Sequence, residues 1–134
     1  MCGIAGLWTA SASADALEAT ARSVQRALRH RGPDGDGASL DPLAGLLLVH
    51  TRLSIRDLSL LGAQPMASGD GRFVISYNGE LYGLQDLRAD LATQGHAFHG
   101  KSDTEVLIEC VARYGVVGAA KRVAGIFAFA IWDR

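Results

Sequence analysis

Met1-Cys2-Gly3-Ile4-Ala5-Gly6-Leu7-Trp8 opens the chain and places a cysteine directly behind the initiator methionine. The apolar residues after Cys2 predict a short buried strand, Gly3–Trp8, with the cysteine at its tip. Removal of Met1 would give Cys2 a free α-amine beside its thiol. An α-amine titrates near pH ~8, so it can accept a proton at neutral pH. Cys2 is therefore a candidate nucleophile that carries its own base, although a lone cysteine can equally be a core residue.

Beyond this strand, strand-like and helix-like patterns follow one another in an irregular order. Ser102 and Glu105 form a capping box, which predicts the start of a helix. Strands are predicted at 43–55, 72–77 and 125–132. Helices are predicted from Ser11 or Ser13 to Leu28, at 84–94, from Ser102 to Tyr114 and at 117–123. A loop is predicted at 60–70 and a turn at Asn78-Gly79. We expect 43–55 to be buried on both faces and 125–132 to be an interior strand. This order favours an α+β sandwich over a parallel βαβ sheet.

Length and composition restrict the class of protein. With 134 residues, of which 49% are hydrophobic, the chain fits one domain with a sizeable core. The net charge is −1 and no cluster of Lys and Arg stands out, so nucleic acid is not an expected partner. The apolar runs are far too short to span a bilayer, and no signal-peptide pattern follows Met1. Cys2 and Cys110 lack metal-ligand spacing, which predicts a cytoplasmic protein with neither a disulfide framework nor a metal site.

Polar residues with the chemistry of an amino-acid site lie near the ends of the predicted elements. The guanidinium of Arg52 matches the geometry of a carboxylate, and Glu80 and Asp103 suit an ammonium group. Asn78, with the N–H of Gly79, suits an oxyanion. Each residue also has an ordinary explanation: Asn78-Gly79 as a hairpin turn, Asp103 as a helix cap, and Arg52 as half of a surface ion pair. Their joint occurrence with an N-terminal cysteine favours an amide-cleaving site.

Seven segments in order carry a resemblance to a known family. They are Cys2-Gly3-Ile4-Ala5-Gly6, Arg31-Gly32-Pro33-Asp34-Gly35, Arg52-Leu53-Ser54-Ile55, Gln64-Pro65-Met66, Asn78-Gly79-Glu80-Leu81-Tyr82, Ser102-Asp103-Thr104-Glu105 and Gly125-Ile126-Phe127-Ala128-Phe129-Ala130. In these segments the chain resembles the N-terminal glutaminase domain of asparagine synthetases. These enzymes are class II glutamine amidotransferases with an N-terminal nucleophile.

The resemblance implies a fold, a reaction and a set of site residues. The fold is the four-layer αββα sandwich of N-terminal-nucleophile hydrolases, and the reaction is hydrolysis of L-glutamine through a thioester, with ammonia delivered to a second domain. By position, Cys2 becomes the nucleophile with its α-amine as the base, and Asn78 with the Gly79 N–H becomes the oxyanion hole. The implied glutamine-binding residues are Arg52 for the α-carboxylate, Glu80 and Asp103 for the α-ammonium, and Leu53 and Ile55 through their backbone.

The resemblance also sets expectations about extent and partners. In the family, the strand at 125–132 is followed by further strands and then by an ATP-using synthetase domain. We therefore expect residues 1–134 to be a glutaminase domain that is incomplete at its C-terminus, with no cofactor of its own. ATP and Mg²⁺ would be used only in the absent synthetase domain. Beyond L-glutamine, the expected partners are that synthetase domain, or a chain supplying the missing strands, and a second copy in a homodimer.

Aspartate, converted to asparagine, is the acceptor that the resemblance implies, and two alternatives remain. Related synthetases amidate other carboxylates in secondary metabolism, so the acceptor can differ while the glutaminase is the same. A non-catalytic remnant could instead dock on a partner without hydrolysing glutamine. One departure from the family falls at Gly83, which stands where Asn is usual and just before a predicted helix.

Overall fold

The structure, a computed structural model, describes residues 1–55 and 59–134. Strands and helices alternate irregularly along these residues. The strands are β1 (Gly3–Trp8), β2 (Gly35–Asp41), β3 (Leu46–Arg52), β4 (Met66–Ala67), β5 (Phe73–Tyr82) and β6 (Ala124–Asp133), and the helices are α1 (Ala14–Leu28), α2 (Leu84–Thr93) and α3 (Asp103–Ala120), with one 3-10 turn at Leu60–Gly62.

The strands form two antiparallel three-stranded sheets. The first sheet has the order β1-β3-β2, and the second has the order β4-β5-β6. The central strand of the first sheet is buried from Leu47 to Thr51, as the apolar run in the sequence predicts. This strand is shorter than predicted, because Leu43 lies fully exposed in the turn between β2 and β3.

The two sheets pack against each other and are covered by helices on their outer faces. Leu17 and Ala21 of α1 form a buried cluster with Leu47 and Val49 of β3. Helix α3 contributes most of a second cluster with β5. Between the sheets, the Ser76 hydroxyl donates a hydrogen bond to the Val49 carbonyl at 3.0 Å. The layers therefore follow the order αββα, which confirms the predicted α+β sandwich.

The helix starts agree with the capping signals in the sequence. The Ser13 hydroxyl accepts from the Ala16 N–H at 3.2 Å, and the Ser102 hydroxyl accepts from the Glu105 N–H at 3.2 Å. Helix α3 is kinked at Gly115, where φ is 71°. The two helical segments predicted on either side of this glycine are therefore confirmed.

Three sequence predictions of secondary structure are wrong, and one strand was not predicted. Asn78-Gly79 is not a turn, because β5 continues through it to Tyr82 and pairs with β6 over that whole length. The strand β2 was not predicted, since its Gly- and Asp-containing sequence lacks a strand pattern. The segment 60–70 is not only a loop, as it holds the 3-10 turn and β4. Among the described residues, β6 pairs only with β5, so it lies at a sheet edge rather than in the interior.

Candidate active site

Cys2 lies at the end of the first sheet, just ahead of β1. The pairing of Gly3 with Thr51 brings it beside the residues that follow β3. Its Sγ accepts from the Leu53 N–H at 3.3 Å and lies 3.8 Å from the Leu53 carbonyl oxygen. The side chain is half-buried. The backbone of Leu53 therefore holds the thiol in place while leaving it open to a neighbouring cavity.

The segment that contains Gly32 and Asp34 fixes the backbone on which Cys2 rests. The Asp34 carboxylate accepts from the Ser54 N–H at 2.8 Å, and the Asp34 N–H donates to the Arg52 carbonyl at 3.0 Å. A Cβ on Gly32 would lie 2.3 Å from the Thr51 carbonyl carbon, so only glycine allows this approach. The motif from Arg31 to Gly35 thus positions the strand end that contacts Cys2.

Strand β5 brings Asn78, Gly79 and Glu80 to the same cavity. Gly79 lies against β6, and a Cβ there would approach the Phe127 Cβ to 2.4 Å. The absence of a side chain at this position is therefore required by the pairing of the two strands. Asn78 and Gly79 are half-buried, while Glu80 is exposed at the rim.

Asp103 begins α3, and its carboxylate is tied to β5. Its relative exposure is 7%, and its Oδ2 accepts from the Leu81 N–H at 3.1 Å. The N-cap of this helix is Ser102, so Asp103 is not needed as the cap. Arg52 lines the same cavity, and its Nη1 donates to the Ser59 carbonyl at 2.8 Å.

One cavity of about 290 Å³ joins these elements. All eight predicted site residues line it: Cys2, Arg52, Leu53, Ile55, Asn78, Gly79, Glu80 and Asp103. Its walls carry a guanidinium, two carboxylates, an amide and a thiol. That set can hold the charged groups of an amino acid while a nucleophile lies within reach.

The cavity also contains residues that the sequence prediction did not assign to the site. They include Met1, His50, Gln64, Tyr77, Tyr82, Thr104 and Ile126. His50 is 1% exposed, and burial lowers its pKa from 6.5 to about 4, so its ring is neutral at neutral pH. Gln64 lies within the motif Gln64-Pro65-Met66, and that motif was the signal available for finding it.

The second cysteine belongs to the core. Cys110 is completely buried in α3, and burial raises the pKa of its thiol to about 11. It does not line the cavity. Cys110 is therefore a packing residue, as its position among apolar neighbours predicts.

Within residues 1–55 and 59–134, no group of three or more His, Cys, Asp or Glu side chains is arranged to hold a metal ion. None of the helices in this part of the chain has the length and apolar character needed to cross a membrane.

The sequence matches a family model and is similar to curated proteins. The family model of the glutamine amidotransferase domain matches residues 1–134. Asparagine synthetase [glutamine-hydrolyzing] 1 of Bacillus subtilis is 36% identical over 136 residues, which cover 100% of this chain and 21% of the relative. Asparagine synthetase B [glutamine-hydrolyzing] of Escherichia coli is 36% identical over 133 residues, covering 99% of this chain and 23% of that relative. The chain thus spans less than a quarter of the length of these curated relatives.

A solved structure resembles the fold. Glutamine phosphoribosylpyrophosphate amidotransferase from B. subtilis superposes with a TM-score of 0.75 over 97% of this chain and 35% of its own chain. The sequences are 21% identical. The likeness shows that the αββα architecture is shared.

Proposed function

The chain belongs to the glutamine amidotransferase family, as a domain homologous to the N-terminal domains of asparagine synthetases, and on that premise we propose that it hydrolyses L-glutamine to glutamate and ammonia. The observation that carries the proposal is that the eight predicted site residues line one cavity. Backbone groups of Leu53, Leu81 and Ser59 hold the thiol, the Asp103 carboxylate and the Arg52 guanidinium in place.

The proposed reaction proceeds through a thioester on Cys2. The α-amine of Cys2, free once Met1 is removed, takes the thiol proton, and Sγ attacks the side-chain carboxamide carbon of glutamine. Asn78 and the Gly79 N–H stabilise the oxyanion that forms. The C–N bond then breaks, and the protonated amine returns its proton to the departing ammonia. Water attacks the thioester, giving glutamate and the free thiol.

The charged residues of the cavity account for recognition of a free amino acid. Arg52 binds the α-carboxylate, because its planar guanidinium can donate two parallel hydrogen bonds. Glu80 and Asp103 neutralise the α-ammonium. Leu53 and Ile55 contribute backbone groups at the cavity wall, and Leu53 also orients the sulfur.

The wider role is proposed from the relatives. Ammonia would pass to an ATP-dependent synthetase domain, which amidates aspartate to asparagine in the cytoplasm. ATP and Mg²⁺ would be used there, and the glutaminase cavity described here would need no cofactor. The relatives at 36% identity are glutamine-hydrolysing asparagine synthetases, which favours aspartate as the acceptor.

Ammonia release from L-glutamine tests the proposal. Protein from which Met1 has been removed should release ammonia, and protein retaining Met1 should not, because a peptide nitrogen cannot act as the base. Cys2→Ala should abolish release, while Cys110→Ala serves as the matched control and should keep it. An electrophilic glutamine analogue should label Cys2. Active protein that retains Met1 by intact mass, or labelling of Cys110 instead, would contradict the mechanism.

A further inference from the structure

The side chain of Gln64 links two elements that meet at the cavity. Its Oε1 accepts from the Tyr77 N–H at 2.6 Å, and its Nε2 donates to the Thr104 hydroxyl at 3.0 Å. Tyr77 immediately precedes Asn78 on β5, and Thr104 immediately follows Asp103 on α3. One amide therefore joins the direct neighbours of the oxyanion residue and of the ammonium-binding carboxylate.

The strand register explains why a side chain makes this contact. Met66 pairs with Ile75 and Ala67 with Val74, so continuation of the register brings residue 64 opposite Tyr77. The strand β4 begins only at Met66, and the Gln64 amide takes the place of the missing backbone acceptor for Tyr77. A buried backbone N–H requires such a partner. The Nε2 group of the same amide is free to donate to Thr104 of α3.

The backbone of Gln64 is fixed from the first sheet as well. A Cβ on Gly37 of β2 would lie 2.1 Å from the Gln64 carbonyl oxygen, so the two backbones are in close contact. Gln64 consequently contacts β2, β5 and α3 at once. Of these elements, β5 and α3 line the cavity directly, and β2 supports Gln64 from behind.

We infer that Gln64 is a positioning residue, which sets the Asn78–Gly79 segment and Asp103 at a fixed distance from each other. The inference rests on the proposed glutaminase function, since it deepens the account of that site. Misplacement of catalytic groups by about 1 Å can cost roughly 10²-fold in rate. Loss of the link should therefore lower kcat in a protein that still folds.

Substitutions at Gln64 and Thr104 separate the two hydrogen bonds of the Gln64 amide. Gln64→Met keeps the size of the side chain and removes both hydrogen bonds, while Thr104→Val removes only the bond to α3 and Thr104→Ser keeps it. Gln94→Met is the matched control. Gln94 also bridges two helical residues, donating to the Tyr114 hydroxyl and accepting from the Arg113 guanidinium, but it lies outside this cavity.

Steady-state glutamine hydrolysis by Met1-free protein gives the decisive comparison. We expect Gln64→Met to lower kcat/KM by about 10- to 100-fold, mainly through kcat, and Thr104→Val to lower it several-fold. The double variant should be no worse than Gln64→Met, because the two residues act through one bond. Thr104→Ser and Gln94→Met should stay close to the parent. Equal losses in Gln64→Met and Gln94→Met, or multiplying losses in the double variant, would overturn the inference.

Amide hydrogen exchange separates this inference from the function on which it rests. Gln64→Met should speed exchange in both 77–80 and 103–105, and Gln94→Met should leave both segments unchanged. A parent protein that fails to release ammonia would refute the proposed function, while the exchange pattern still decides whether Gln64 links the two segments. Unchanged exchange in either segment refutes the link. If Gln64→Met does not fold, Thr104→Val against Thr104→Ser provides the same test through kcat and exchange.

Discussion

The reactive and charged side chains of the cavity are held in place by backbone groups of other segments. The thiol of Cys2 meets the Leu53 N–H, the Asp103 carboxylate meets the Leu81 N–H, and the Arg52 guanidinium meets the Ser59 carbonyl. Such contacts fix the direction of a side chain before a ligand arrives, and a preorganised site loses little free energy to reorganisation during reaction. These contacts therefore preorganise the cavity for a ligand.

The roles of Asn78 and Arg52 separate in steady-state kinetics. Asn78→Ala should lower kcat by roughly 10²–10³, the usual effect of losing one oxyanion donor. Arg52→Ala should mainly raise KM, by an amount equivalent to about 2–5 kcal/mol for a charged group left without its partner. Arg22→Ala, which removes an exposed arginine of α1, is the control and should change neither constant. An Asn78→Ala variant with altered KM and normal kcat would disprove the oxyanion role.

Burial of His50 should make folding stability depend on pH. The folded protein binds this proton near pH 4, whereas an ordinary histidine binds it at 6.5. Between those values the unfolded chain holds more protons, so the free energy of unfolding falls as the pH drops from 6.5 towards 4. Over this range the free energy of unfolding falls by about 3 kcal/mol.

Urea unfolding at pH 7 and at pH 4.5 measures this dependence. His50→Gln should show a smaller loss of stability between the two pH values than the parent, whatever its stability at pH 7. His30→Gln, at an exposed position, is the control and should keep the parental difference. Equal losses in the parent and in His50→Gln would show that this histidine does not titrate as its burial requires.

At the scale of elements, the sequence patterns predicted the helices and missed parts of the two sheets. The helices α1 and α3 were predicted because each has a serine cap followed directly by apolar residues at helical spacing. The strand β2 was missed because its Gly- and Asp-containing sequence lacks a strand pattern, although it pairs with β3 directly after it. The course of β5 through Asn78-Gly79 was missed because pairing with the distant strand β6 decides it. A turn signal such as Asn-Gly is overridden when ten residues of a partner strand pair alongside it.

The candidate site likewise contains residues that the sequence predicted and residues that it did not. Cys2, Arg52, Asn78 and Asp103 were chosen by chemical type and by resemblance to a family. His50 was missed because its burial arises from the packing of two sheets, and a lone histidine in an apolar strand gives no local signal of that kind.

The start of α2 has a left-handed backbone at Gly83 that a substitution can test. This residue has φ 67° and ψ 23°, and it makes no side-chain cap hydrogen bond. Asn tolerates the left-handed conformation, and no atom lies within 4 Å of a Cβ built there. Gly83→Asn should change the free energy of unfolding by less than about 1 kcal/mol, because the reduced freedom of the unfolded chain offsets the strain of a side chain at positive φ.

Chemical denaturation of three proteins checks this expectation. Gly83→Val is the contrasting variant, since a β-branched residue is strained at positive φ and should destabilise the protein. Glutamine hydrolysis should be the same in Gly83→Asn and in the parent, because residue 83 does not line the cavity. An Asn variant as unstable as the Val variant would show that the left-handed conformation is not retained.

At the scale of the whole molecule, the cavity lies where the two sheets and α3 meet. Cys2 and Arg52 come from the first sheet, Asn78 and Gly79 from the second, and Asp103 from the helix that covers the second. The packing of the sheets therefore sets the distance between Cys2 and the proposed oxyanion residues, Asn78 and Gly79. Substitutions in the inter-sheet layer should affect catalysis even when they lie away from the cavity.

The edge formed by β6 should make the 134-residue polypeptide self-associate. Among residues 1–55 and 59–134 this strand pairs with β5 alone, and Ile126 near its start is 74% exposed. An apolar edge strand presents unpaired N–H and C=O groups to other chains. Sedimentation velocity across a concentration series should therefore show reversible growth in mass.

A charge on that edge should suppress the association, because a lysine opposes pairing with a second strand. Ala128→Lys places a charge at an exposed position of β6, and Ala19→Lys places the same charge at an exposed position of α1. We expect Ala128→Lys to stay monomeric at concentrations where the parent and Ala19→Lys associate. Equal suppression by both lysines would attribute the effect to net charge, and a parent that remains monomeric throughout would refute the edge as an association surface.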